Sequence, residues 1–141
     1  MSSTPHPSAK GALFRHSGVQ VRPSEWGYGV YTEEFIPEGS IIEECHYLKA
    51  PWSSCQEPPL DDYVFRIEWS EYEEPRPGEW VAVVMGYGMI YNHSNTPNVS
   101  YRRGGERDLF YFYALRDIQP GEQLFISYGE AWWKTRGMQQ P

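Results

Sequence analysis

Two stretches of the sequence end apolar runs with side chains that could bind a ligand or take part in chemistry. In the first, an apolar run stops at Asn-His-Ser, residues 92–94, and a turn follows at residues 95–97. Short polar side chains of this kind bond readily to nearby backbone groups. In the second, the turn Pro120-Gly121 precedes a β-rich run that ends with Tyr128, just before Gly129. Each stretch alone is also typical of a plain loop between strands.

Short strands are predicted to position these side chains. Apolar alternation and frequent turn signals predict strands at Val19–Arg22, Val30–Tyr31, Ser40–Leu48, Tyr63–Trp69, Trp80–Val84, Val99–Arg102, Leu109–Leu115 and Leu124–Ser127. Residues 50–60 and 70–78 are predicted to be loops, and a short turn of helix is expected between residues 84 and 90. The sequence does not alternate strands with helices, which excludes a doubly wound α/β fold. We therefore expect a mainly β domain with little helix.

The composition is that of one domain rich in tyrosine. The 141 residues are 40% hydrophobic and 16% aromatic, with Tyr at 11 positions and Trp at 6. Such a composition favours a β-rich fold with aromatic-lined pockets over a helical bundle. No apolar run approaches the roughly 20 residues of a membrane span, and residues 1–7 are too polar for a secretory signal. We expect a soluble intracellular protein that does not bind membranes.

The cysteine and histidine content disfavours metal chemistry. Two cysteines, Cys45 and Cys55, and four histidines show no paired ligand spacing. His46 could be a third ligand beside Cys45, but no spacing supports it. Two thiols in a reducing compartment are the better interpretation. No metal site is expected, and a metal-dependent hydrolase is a poor hypothesis.

The net charge of −7 is unevenly distributed along the chain. Between Glu33 and Glu79 there are thirteen acidic residues and three basic ones, which sum to −10. A surface of one sign attracts partners of the other, so a basic peptide is favoured and direct binding of nucleic acid is not expected. The alternative is that these acids only keep the protein soluble.

Three motifs taken together, in this order, resemble the SET domain of protein-lysine methyltransferases. They are Trp-Gly-Tyr-Gly-Val at 26–30, Tyr-Asn-His-Ser-Asn-Thr-Pro-Asn at 91–98 and Gly-Glu-Gln-Leu-Phe-Ile-Ser-Tyr-Gly at 121–129. The nearest likeness is to the minimal stand-alone SET enzymes of viral type, which share the Glu-Glu-Cys of residues 43–45. The resemblance implies small curved sheets and a C-terminal segment threaded through a preceding loop. It covers a SET domain at 19–133. Residues 1–18, rich in Ser, Pro, His and Gly, are predicted to form a flexible tail, and residues 134–141 a short C-terminal tail.

The resemblance assigns roles to individual residues. Tyr128 corresponds to the active-site tyrosine, with its hydroxyl beside the transferring methyl group. Residues implied to bind the cofactor S-adenosylmethionine are Trp26, Gly27, Tyr28, Gly29, Asn92, His93 and Trp133. Tyr63 and Tyr101 are candidates for the channel that receives the substrate lysine. Burial in such a channel would lower the pKa of the lysine amine and keep it neutral.

The implied function is transfer of methyl groups from S-adenosylmethionine to the ε-amine of a lysine in a basic protein, with histones as the obvious case. A nuclear location, in its own cell or a host's, is expected for a histone substrate, and a cytoplasmic one otherwise. The final Tyr-Gly is not followed by the cysteine-rich zinc segment of many SET proteins, so something else must close the active site. A homodimer is therefore expected. The alternative function is a catalytically inactive SET-like module that binds basic peptides.

Overall fold

The computed structural model describes residues 12–67 and 80–128. Its strands are β1 (Val19–Ser24), β2 (Gly27–Thr32), β3 (Ile41–Cys45), β4 (Tyr47–Pro51), β5 (Val64–Ile67), β6 (Trp80–Val84), β7 (Asn92–His93), β8 (Val99–Gly104), β9 (Leu109–Ala114) and β10 (Gln123–Ile126). Short 3₁₀ turns occupy Trp52–Ser54, Leu60–Asp62 and Gly86–Met89. The mainly β prediction is confirmed, and the last of these turns lies where a turn of helix was expected. The predicted loop at residues 70–78 lies outside the described residues.

The strands form three small sheets. Their orders are β1-β2-β10-β7, β3-β9-β8 and β4-β6-β5. All strand pairs in these sheets are antiparallel except β7 with β10, which run parallel. The parallel pair matters most, because it joins the two motif stretches that are far apart in the sequence.

The predicted long strand from Ser40 to Leu48 is wrong as one element. The chain breaks at His46, so β3 pairs with β9 whereas β4 pairs with β6 in another sheet. The reason is that the run from Ile42 to Cys45 is buried on both faces, including Glu43 and Glu44. At the break the His46 carbonyl accepts a hydrogen bond from the Met85 N–H, and the chain passes from the buried β3 to the more exposed β4.

Residues 14–16, which fall within the predicted flexible tail at residues 1–18, pair with β3 through backbone hydrogen bonds. The His16 N–H donates to the Ile42 carbonyl, and the Glu44 N–H donates to the Phe14 carbonyl, both at 2.8 Å. This short segment covers the edge of β3 and satisfies backbone groups that would otherwise be left without partners. Residues 1–11 lie outside the described part of the chain.

In the part of the chain that the structure describes, one hydrophobic core cluster contains residues from all three sheets and supports the motif stretches. Its buried members include Val30, Ile36, Ile42, Val84, Tyr91, Phe110, Phe112, Ile118 and Leu124. Tyr91 comes directly before β7, so the polar residues that follow it start from a rigid point. Within residues 12–67 and 80–128, no helix is long and apolar enough to cross a membrane.

Candidate active site

The parallel pairing of β7 with β10 brings the two motif stretches side by side. Phe125 is the partner of Asn92, and Ile126 is the partner of His93. The Ser94 N–H then donates to the Ile126 carbonyl at 3.0 Å. The end of the second stretch is therefore delivered directly against the Asn-His pair of the first.

Tyr128 is held at both its hydroxyl and its backbone. The phenol donates a hydrogen bond to the Tyr91 carbonyl at 3.0 Å, and the backbone N–H donates to Nδ1 of His93 at 3.0 Å. Burial, followed by the nearby charges of Tyr63 and Asp62, raises the pKa of Tyr128 to about 12. The phenol is therefore protonated at neutral pH and can act as a fixed hydrogen-bond group.

His93 is a neutral positioning residue in this arrangement. Because Nδ1 accepts the bond from Tyr128, the proton of the neutral ring lies on Nε2, which is 3.3 Å from Oδ1 of Asn95. Burial lowers the pKa of His93 below its usual value, and the hydrogen bond with Asn95 opposes that shift only in part. The sequence pattern places His93 near a cofactor, but it gives no sign of this contact with Tyr128.

Asn92 ties the β1–β2 hairpin to β10. Its Nδ2 atom lies 2.8 Å from Oε1 of Gln123, 3.1 Å from the Tyr28 carbonyl and 3.2 Å from Oγ of Ser24. Gly29 makes this approach possible, since a Cβ atom there would lie 2.4 Å from Oε1 of Gln123 and 2.9 Å from Nδ2 of Asn92. A side chain at Gly29 would therefore displace the ends of these two flexible side chains, whereas the backbone angles of Gly29 do not themselves call for glycine.

Trp26 and Tyr28 project from the tip of the same hairpin. Their exposed fractions are 59% and 67%, and the Trp26 ring contacts the edge of Phe125 at 6.1 Å between centroids. Gly27 between them has a φ of +96°, a conformation that glycine adopts without strain. The hairpin that binds the Asn92 amide thus carries two large, solvent-exposed aromatic rings.

Tyr63 and Tyr101, the two candidates for the lysine channel, have different neighbours. Tyr63 follows the 3₁₀ turn Leu60–Asp62 and is close enough to Tyr128 for its charge to raise the pKa of Tyr128. The Tyr101 ring packs 4.8 Å from Phe65 and 5.8 Å from Phe112, and burial raises the pKa of its phenol. Phe112 in turn stacks on Tyr91, so Tyr101 is joined to Tyr128 through the core.

The comparison with protein families decides the identity of this arrangement. Residues 27–129, most of the chain, match the sequence model of the SET domain. The chain belongs to the SET-domain family. The resemblance drawn from the three motifs is thereby confirmed.

Two proteins illustrate the similarity of this SET domain to others. The chain is 29% identical over 122 residues to the histone-lysine N-methyltransferase of Schizosaccharomyces pombe that is specific for H3 lysine-37, covering 83% of this chain and 77% of that protein. It is also similar to a crystal structure from Plasmodium falciparum of a protein proposed to be a histone methyltransferase. That match has a TM-score of 0.59 and 28% identity, and it covers 84% of this chain and 98% of the other. The SET fold prediction is confirmed by these matches.

The hairpin of this SET domain fits the cofactor that the family implies. No atom lies within 4 Å of where a Cβ on Gly27 would stand, whereas the corresponding space at Gly29 is filled by the ends of the Gln123 and Asn92 side chains. The exposed Trp26 and Tyr28 rings can attract a sulfonium cation through their faces. Nδ2 of Asn92 donates to three acceptors, and an amide oxygen such as its Oδ1 is a suitable acceptor for an amino group. Trp133, the remaining candidate, lies outside the described residues.

Asn98 is a positioning residue of the SET domain that sequence reasoning missed. Its buried amide donates to the Gln123 carbonyl at 2.9 Å and accepts from the Phe125 N–H at 2.7 Å. It therefore takes the place of a neighbouring strand for β10 at two backbone groups. Its position at the end of the 91–98 motif could have indicated this role, because an asparagine that follows a turn and is buried needs hydrogen-bond partners on the backbone.

Proposed function

We propose that this protein transfers methyl groups from S-adenosylmethionine to the ε-amine of a lysine in a basic, histone-like protein. Lysine methyl transfer itself rests on the family match and on relatives that carry the names of histone methyltransferases. The observation that carries the assignment of the site is the hydrogen bond from the Tyr128 phenol to the Tyr91 carbonyl, which gives a hydroxyl at the end of β10 a fixed direction.

The residues that would hold the cofactor are those of the hairpin tip and of β7. They are Trp26, Gly27, Tyr28, Gly29, Asn92 and His93, with Trp133 from the segment beyond. When bound, S-adenosylmethionine supplies a methyl group on a positively charged sulfur. Exposed aromatic faces and an amide oxygen suit that cation and its amino group.

Tyr128 acts by orientation and not by ionisation. Its phenol remains protonated because burial and nearby charges raise the pKa of Tyr128 to about 12. The hydroxyl oxygen and the Tyr91 carbonyl together form a fixed oxygen surface, and such oxygens hold polarised C–H groups by weak hydrogen bonds. We assign Tyr128 as the catalytic residue on this basis.

The lysine amine has to be neutral before it can attack. Tyr63, near Tyr128, and Tyr101, on the aromatic core, supply apolar ring surface with hydroxyl groups at the edges. An amine surrounded by such surface loses hydration, which lowers its pKa and favours the neutral form. The two tyrosines therefore serve as walls of the lysine channel in this proposal.

The charge near Tyr128 supports a basic substrate. Asp62 is exposed, and its charge contributes to the raised pKa of Tyr128, so it lies close to the catalytic phenol. Glu43 and Glu44 belong to the acidic stretch of the sequence, but both are buried and cannot attract a peptide. Among the described acids of this stretch, Asp62 is therefore the one that we propose to act on the substrate.

A nuclear location and a homodimer are part of the same proposal. A histone substrate places the protein in a nucleus, and the likeness to compact viral-type SET enzymes, which act as pairs, supports a dimer. Sedimentation at working concentration is expected to give twice the mass of the chain. A clean monomer with full activity would contradict the dimer alone.

Methyl transfer to a panel of core histones and neutral proteins, followed by mass spectrometry, tests the function. We expect a mass increase of methyl units on lysines of a basic protein, only when S-adenosylmethionine is present. Binding of a histone peptide without any methylation, at saturating cofactor, would instead identify an inactive binding module and overturn the enzymatic proposal.

A further inference from the structure

Glu43 is a buried carboxylate surrounded by hydrogen-bond donors. Only 1% of its surface is exposed, in the middle of β3. Its Oε1 atom accepts from the Tyr91 phenol at 3.1 Å, and its Oε2 atom accepts from the Tyr87 N–H at 2.9 Å and from Nε of Arg15 at 3.4 Å. A buried charge is costly unless it is paired and hydrogen-bonded. These three donors therefore fix the carboxylate and tie three chain segments to it.

Tyr91 connects this carboxylate to the catalytic phenol. Its hydroxyl is bound to Glu43, its ring stacks on Phe112 at 4.7 Å between centroids, and its carbonyl accepts the Tyr128 hydroxyl at 3.0 Å. A residue held at its phenol, ring and carbonyl keeps one arrangement. The direction of the Tyr128 hydroxyl therefore depends on where Glu43 holds Tyr91.

We infer that Glu43 is a positioning residue for Tyr128 and acts through Tyr91. It touches neither the Tyr128 phenol nor the open face beside the hairpin. Its effect on methyl transfer rests on the proposed function, but its effect on the Tyr128 hydroxyl does not. The two effects can be measured separately.

The adjacent Glu44 provides a matched control on the same strand. It is 2% exposed, and its Oε1 atom accepts from the Phe14 N–H at 3.1 Å. Successive side chains of a strand point to opposite faces, so Glu44 does not reach Tyr91. Glu43→Gln and Glu44→Gln therefore alter two buried carboxylates alike in size and burial, of which one alone contacts Tyr91.

The first measurement requires no cofactor. Tyrosine labelled with ¹³C at Cζ gives a resonance for Tyr128 that reports the hydrogen bond of its hydroxyl, and Tyr128→Phe assigns it. We expect Glu43→Gln to shift this resonance and Glu44→Gln to leave it in place. An unmoved Tyr128 resonance in folded Glu43→Gln overturns the inference, whether or not the protein methylates anything.

The second measurement follows turnover at saturating cofactor. Misplacing a catalytic group by a small distance costs on the order of ten- to a hundredfold in rate, so Glu43→Gln is expected to lower kcat by that factor with little change in KM. Glu44→Gln is expected to keep kcat. Equal losses in both variants would show that Glu43 is merely structural.

Tyr91→Phe tests the inference if Glu43→Gln does not fold. This variant keeps the Tyr91 carbonyl and its ring but removes the bond to Glu43. It is expected to shift the Tyr128 resonance in the same direction and to lower kcat, and the double variant is expected to be no worse than either single one. A native Tyr128 resonance and native kcat in Tyr91→Phe would refute the inference.

Discussion

Nδ1 of His93 accepts a hydrogen bond from the backbone N–H of Tyr128 at 3.0 Å, so the motif histidine holds the proposed catalytic residue by its main chain. In His93→Gln the longer glutamine side chain places its amide where Nε2 of His93 lies, so the acceptor at the position of Nδ1 is lost. His93→Asn retains an acceptor near the place of Nδ1. Leaving a half-buried N–H without a partner costs about 1–3 kcal/mol. Urea unfolding is expected to show that loss for His93→Gln and a smaller one for His93→Asn.

The same bond predicts a dependence of stability on pH. Burial lowers the pKa of His93 below the ordinary value of 6.5, so the folded protein binds fewer protons than the unfolded chain between those two values. The stabilising contribution is complete above pH 6.5 and is lost as the pH falls through the lowered value, when Nδ1 is protonated. Below pH 6.5, the free energy of unfolding is expected to fall less steeply with decreasing pH in His93→Asn than in the wild type, because asparagine does not titrate. An unchanged slope would contradict this assignment.

Tyr128→Phe tests the role of the catalytic phenol. The variant loses the hydroxyl that lies against the Tyr91 carbonyl and keeps the ring, so the fold and cofactor binding are expected to remain. Removing one placed electrostatic group costs on the order of a hundred- to a thousandfold in kcat. Tyr113→Phe on β9 is the control, because its ring lies near Arg102 on another face and no loss is expected there. Comparable turnover in both variants would move the chemistry away from Tyr128.

Gly29→Ala tests the close packing under the hairpin. The added Cβ would meet the ends of the Gln123 and Asn92 side chains, which have to move to make room at a modest cost in stability. We expect weaker binding of S-adenosylmethionine by calorimetry, because the displaced amide belongs to Asn92. Gly39→Ala is the control: its φ of +83° makes it strained by a similar amount, but nothing lies within 4 Å of the new Cβ. Equal loss of cofactor affinity in both variants would show that Gly29 has no specific part in cofactor binding.

Asp62→Asn tests electrostatic recognition of the substrate. Asp62 is exposed and close to Tyr128, so it is expected to raise the rate on a peptide with basic flanks and not on one with neutral flanks. The difference is expected to fade with added salt, since exposed charges are screened over about 8 Å at physiological ionic strength. Glu57→Gln alters another exposed acid of the same loop and serves as the control. Identical salt curves for the wild type and Asp62→Asn would leave the acidic surface without a part in recognition.

Much of the architecture could be predicted from local patterns. The strand Trp80–Val84 coincides with its prediction, and most others differ from theirs by a few residues. Alternation and turn residues act over short distances, so they can be read without knowing the fold. The motif order likewise identified the family, because its residue types have to occur together for the cofactor and the lysine to be bound.

The burial of Glu43 and Glu44 could not be predicted in this way. A sequence shows two acids in a strand, which normally indicates a solvated face. Their donors come from Phe14, Arg15, Tyr87 and Tyr91, and only the fold brings these to β3. The break at His46 follows from the same burial, and it too depends on the neighbouring sheets.

The sequence by itself determined that the chain is a mainly β SET domain, and it proposed Tyr128, Asn92 and His93 as residues of its site. Only the tertiary structure decided what each of them does there. His93 holds the main chain of Tyr128, Asn92 joins the hairpin to β10, and Glu43 reaches Tyr91 across 48 residues of sequence. The physical reason is that residue type limits which hydrogen bonds a side chain can make, whereas long-range packing selects the partner that receives them.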